Sequence, residues 1–122
     1  MHTIETLKAE THTPVIIVDH RGIVVHINQN FEKTWGWQKN VLIGKPLTMI
    51  IPPNLKDAHH MGFSRFSLTG KPTILNQAAE LPILMADGKE TTAEHFIIVE
   101  NINGNWVFGA TITPLEDMEK KF

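Results

Sequence analysis

Two dipeptides, Asp87-Gly88 and Asn103-Gly104, divide the second half of the chain into three apolar, alternating segments. Such steps are hairpin signals, because both residue types tolerate the backbone angles that tight β-turns demand. The segments "TILNQAAELPILMA" (73–86), "TTAEHFIIVE" (91–100) and "NWVFGATIT" (105–113) therefore read as a three-strand meander. Nearer the start, "PVIIVD" (14–19) is a β-branched run, Asp19 and Gly22 supply turn chemistry, and "IVVHIN" (23–28) returns as the second strand of a hairpin. Between hairpin and meander, "QNFEKTWGW" changes to helical spacing, "IPP" (51–53) stops any helix before it, and a longer helix is expected from Asn54, a good N-cap residue. This order predicts an α+β domain: a five-stranded antiparallel sheet with short helices packed on one face. A sheet cupped under helices can enclose a small pocket.

The 122 residues, 42% of them hydrophobic, suit a single core. "TIETLKAE" (3–10) sets Ile4 and Leu7 three apart among charges, which predicts a short amphipathic helix lying on the domain. The expected division is an N-terminal helix or cap over 1–11, the sheet-bearing domain over 12–114, and a C-terminal linker over 115–122. In that linker Leu115, Met118 and Phe122 fall at coiled-coil-like spacing. Eleven basic and thirteen acidic residues leave a net charge of -2, with no basic block to track nucleic acid or anionic lipid. No apolar run is long enough for a membrane span, and "MHTIETLKAE" lacks a signal peptide's basic start and apolar stretch. A cytoplasmic domain is expected, and the start at Met1 fits a sensor at the head of a longer chain. The absence of cysteine removes disulfides, thiolate metal sites and cysteine adducts to a bound cofactor.

The histidines carry the candidate chemistry. On a helix through "NLKDAHHMGFSRFSLTG" (54–70), Leu55, His59, Phe63 and Phe66 share one apolar stripe, while His60 points away with Lys56, Ser64 and Ser67. Adjacent helical histidines do not ligate one metal together, so a zinc site is not expected. In 91–100, strict alternation sets Ala93, His95, Ile97 and Val99 on the apolar face and Thr92, Glu94 and Glu100 on the other. His95 is thus expected to face the pocket. A neutral histidine there is a hydrogen-bonded core residue, a polar contact to an organic ligand, or an axial ligand to haem iron. No nucleophile and base pair or carboxylate cluster can be placed in one pocket: Asp19 and Asp87 are in turns, and Glu80 and Glu94 are on outward strand positions. Catalysis is not expected.

Several segments resemble the PAS sensory domains: "TPVIIVDHRGIVVHINQNFEKTWGW", "LIGKPLTMIIPP", "FSLTGKP", "ADGKETTAEHF" and "NGNWVFGATITPLED", together spanning roughly 12–117. The resemblance implies a PAS fold and a signal-detecting or dimerising module coupled to a kinase, cyclase, phosphodiesterase, transcription or chemoreceptor output. "AHHMGFSRF" is similar to the helix of haem-binding PAS sensors of the FixL type, on the pattern H-x-x-x-x-x-R formed by His59 and Arg65. That likeness implies haem b with His59 as proximal metal ligand, for oxygen sensing or other gas binding. The distal side departs from the pattern. His95 stands where the oxygen sensors have an apolar residue, Ala79 where they have an arginine, and Gln77 where a phosphodiesterase relative has a methionine ligand. With haem, His95 is a sixth ligand displaced by gas or a hydrogen-bond donor to it, and Gln77 is the other candidate donor. Without haem, His95 and Gln77 anchor a small molecule or bond to each other and the backbone. Expected cofactor-binding residues are therefore His59, His95, Gln77, Phe63, Phe66, Ile97 and Leu55. The alternatives to haem are no cofactor or a non-covalent flavin. A cofactor-free module would form a homodimer through the N-terminal helix or the outer sheet face, where Phe96 and Ile98 are candidates.

Overall fold

The computed structural model describes residues 2–56 and 77–115. Helix α1 (Ile4–Ala9) precedes β1 (Val15–Val18) and β2 (Val24–Ile27), then α2 (Gln29–Trp35) and α3 (Lys39–Leu42). Two 3₁₀ turns follow, at Leu47–Ile50 and Pro53–Leu55, before β3 (Ala78–Leu84), β4 (Glu90–Ile102) and β5 (Asn105–Pro114). The strands form one antiparallel sheet in the order β2-β1-β5-β4-β3. The expected hairpin and meander are its two halves, and they join where β1 pairs with β5.

Local chemistry explains each corner. The Asp19 carboxylate accepts from the Arg21 and Ile23 amides and pairs with the Arg21 guanidinium, closing the β1–β2 turn. Asn103 and Gly104 have φ of 53° and 85°, as a two-residue hairpin requires, and pairing continues to Ile102 and Asn105 at the turn itself. β4 accordingly runs beyond the expected 91–100. Asn54 is not a helix cap: the 3₁₀ turn begins one residue earlier, at Pro53, whose missing N–H costs nothing in a first turn. The longer helix expected after it lies outside the described residues.

All four residues of β1 are buried. Ile16 and Val18 face the main core, with Phe31, Trp35, Leu42 and Ile83. Val15 and Ile17 face the other way, where Ile4 and Leu7 of α1 cover them together with Ile98. The helices after β2 thus gather on one face as expected, while α1 roofs the opposite face. Gly109 makes that roof possible: a Cβ there would lie 2.6 Å from Leu7 Cδ1 and 3.0 Å from Ile4 Cδ1. Glu100 fixes the start of α1 by accepting the Ile4 N–H at 2.6 Å. Ile98, expected on a free outer face, is therefore buried beneath α1, and Phe96 is half-buried with the His2 ring 5.6 Å away. A second copy would reach Ile98 only by lifting α1.

Candidate functional site

Between the inner face of the sheet and the 3₁₀ turns lies a cavity of about 320 Å³. Strands β1 and β5 contribute Ile16, Val18, Phe108, Ala110 and Ile112, and β3 and β4 contribute Leu81, His95 and Ile97. Leu47, Ile50, Ile51 and Leu55 close it from the turns. Trp35 and Trp37 hold α2 against the sheet, donating from Nε1 to the Ile112 carbonyl at 3.2 Å and to the Leu84 carbonyl at 3.0 Å. The cavity is thus framed by tied elements.

Among the described lining residues, His95 has the only polar side chain. Alternation along β4 places Ala93, His95 and Ile97 inward, and the first two are buried. Nδ1 of His95 lies 3.1 Å from the Ala93 carbonyl oxygen. Burial holds the imidazole's pKa below the ordinary histidine value, partly opposed by that carbonyl. The pKa of His26 on β2 is lowered as well, first by burial and then by Lys39 and Lys8, and its Nε2 is buried without a hydrogen-bond partner among the described residues.

Both histidines bind a proton less readily in the folded domain than in the unfolded chain. As pH falls below about 6.5, the unfolded chain takes up protons first, and the domain loses stability until the folded-state histidines titrate. The urea midpoint is expected to be lower at about pH 5.5 than at about pH 7.5. A midpoint that is flat or rises toward acid would refute this.

Of the expected site residues, Leu55, His95 and Ile97 meet at the cavity. Gln77 is exposed just before β3, outside the described lining. His59, Phe63 and Phe66 lie outside the described residues. Sequence reasoning did not bring Phe108, Ala110 and Ile112 into the site, although their period-two spacing on β5 was its signal. Among the described residues, no three His, Cys, Asp or Glu side chains cluster as a metal-ion site, and no helix is long and apolar enough to cross a membrane.

The PAS fold family matches residues 2–72, more than half of the chain. The chain belongs to the PAS family. An uncharacterized protein of Azorhizobium caulinodans is 33% identical over 104 residues, covering 84% of this PAS domain and 14% of that protein. The oxygen sensor protein DosP of Escherichia coli is 27% identical over 75 residues, 62% of this chain and 9% of DosP. The PAS domain thus spans a small fraction of both relatives. Among solved structures, the PAS domain of a Colwellia psychrerythraea protein matches with a TM-score of 0.70 at 15% identity, covering 92% of this chain and 93% of that one. That likeness speaks for the fold alone.

Proposed function

We propose that this sensory PAS domain binds haem b, with His59 as an axial ligand, and reports a diatomic gas or redox state to a downstream effector, itself performing no catalysis. The observation that carries the reading is the cavity wall, apolar throughout its described extent except for one buried imidazole. These are the two surroundings that haem asks of a protein: apolar walls for the ring and nitrogen donors for the iron. A bare metal ion would need several protein donors together, whereas haem brings its own equatorial nitrogens and needs only axial ones. The similarity to an oxygen sensor over 75 residues supports the same reading.

Bound haem would supply an iron centre that takes a diatomic gas or changes oxidation state. The chain's own residues do the rest. Leu55 and Ile97 exclude water from the ring. Leu55, at the cavity wall, precedes His59 by four residues in the sequence. Phe108, Ala110 and Ile112 place the wall on β5, which leads through Pro114 to the C-terminal residues. A change in the cavity therefore reaches the side of the domain from which a kinase, cyclase, phosphodiesterase or chemoreceptor module would continue, and a homodimer would pair two such outputs.

A second reading, a small organic ligand anchored by His95, is favoured by the cavity's volume, at the low end for ligand pockets. A non-covalent flavin would need several hydrogen-bonding groups along its ring edge, and the described lining offers only His95. The visible spectrum of the reduced, haem-supplemented domain separates these readings. An intense Soret band that shifts with carbon monoxide is expected in wild type and is lost or greatly altered in His59→Ala. A spectrum indifferent to the substitution would leave the organic-ligand reading.

A further inference from the structure

The tautomer of His95 is fixed by its own strand. A carbonyl oxygen only accepts, so the 3.1 Å contact between Nδ1 and the Ala93 oxygen requires the proton on Nδ1. In a neutral ring, Nε2 then carries the lone pair. The ring is buried in the apolar wall, with Nδ1 turned back to its own strand. The acceptor lies two residues back along β4, so the pleat of the strand sets the contact, and among the described residues no second side chain is involved. On the flanking strands His95 pairs with Ala79 and Ile112, which can neither compete for Nδ1 nor give a proton to Nε2. The described lining holds no other polar side chain.

We propose that His95 offers the cavity an electron pair rather than a proton, and that Nε2 is the sheet-side axial ligand to haem iron, which an incoming gas must displace. This rests on the haem reading above and chooses between the two roles open to His95. A donor role toward the gas would require the proton to leave Nδ1, breaking the Ala93 contact inside an apolar wall. As a ligand, Nε2 binds iron with the ring as it stands. Gas binding then costs one Nε2–iron bond, whose electron pair returns to Nε2, and no proton moves. The released imidazole lies beside Ile112 of β5, so the exchange is felt on the strand that leads out of the domain. The cavity thereby favours ligands of the Lewis-acid class, and its gas affinity is lowered by the competing imidazole.

Three measurements on the full chain test this. Proton–nitrogen correlation NMR of the haem-free protein should show His95 as the Nδ1–H tautomer. The ferric haem complex should be low-spin in wild type and high-spin in both His95→Ala and His95→Gln, with added imidazole restoring the low-spin spectrum of His95→Ala. Glutamine keeps a donor at the site but ligates iron poorly, so it separates the two roles. It also carries the test if the alanine variant does not fold. Carbon monoxide should bind the ferrous variants about tenfold more tightly, because nothing has to be displaced. An Nε2–H tautomer, or variants that load haem and keep the wild-type spectrum, would overturn the assignment while leaving the haem reading intact. Failure of wild type to take up haem would overturn both.

Discussion

Asn28→Ala is expected to destabilise the domain by roughly 3–5 kcal/mol, since each buried group left without a partner costs about 1–3 kcal/mol and loss of the helix cap adds about 1. The side chain is buried and fully used. Its Oδ1 accepts from the Phe31 N–H at 3.0 Å, capping α2, and from the Val15 N–H at 3.0 Å, at the start of β1. Its Nδ2 donates to the Thr13 carbonyl at 2.7 Å and to the Glu10 carbonyl at 3.1 Å, holding the segment that brings α1 over the sheet. One residue therefore ties three elements together. Against a usual domain stability of about 5–15 kcal/mol, the loss is large enough to read directly from urea unfolding. Asn28→Asp keeps the two acceptor contacts and gives up the two donor contacts, so it should fall between wild type and alanine. An alanine variant within about 1 kcal/mol of wild type would contradict this account of Asn28.

Ala110→Phe should lower ligand affinity at least about a hundredfold, close to 2.7 kcal/mol, while leaving the fold in place. Ala110 sits at the middle of the sheet-side wall, paired with Ile16 on β1 and Ile97 on β4, and all three line the cavity. A phenyl ring there enters space that a ligand would otherwise fill. Overpacking a closed core costs about 1–3 kcal/mol, and a cavity of about 320 Å³ absorbs part of that. Unfolding by urea checks the fold, and a binding titration checks the site. Unchanged ligand affinity in a folded variant would place the ligand elsewhere.

The elements that sequence reasoning reached most directly are those fixed by local chemistry. Asp87-Gly88 and Asn103-Gly104 turn the meander. The alternation of Ala93, His95 and Ile97 carried through to the inward face, because one buried face holds a strand's register. The site's other wall was less legible for a physical reason. Alternation says which side Phe108, Ala110 and Ile112 face. Whether they meet packed side chains or open space depends on how the 3₁₀ turns seat above them, and strand periodicity does not encode that. Ile98 shows the same limit from the other direction: its outward position was readable, but its cover by α1 rests on the room that Gly109 leaves for Leu7. At Asn54, cap preference and proline chemistry competed, and Pro53 opened the turn.

The central claim is that the inner-face cavity holds haem, and a haem titration of wild type and Ala110→Phe side by side tests it most directly. The readouts are the Soret band and the fluorescence of the buried Trp35 and Trp37. Wild type should saturate at one haem per chain, with the tryptophan emission quenched in step, and Ala110→Phe should show neither change over the same range. A non-saturating rise shared by both proteins, or equal saturable binding in both, would contradict the claim.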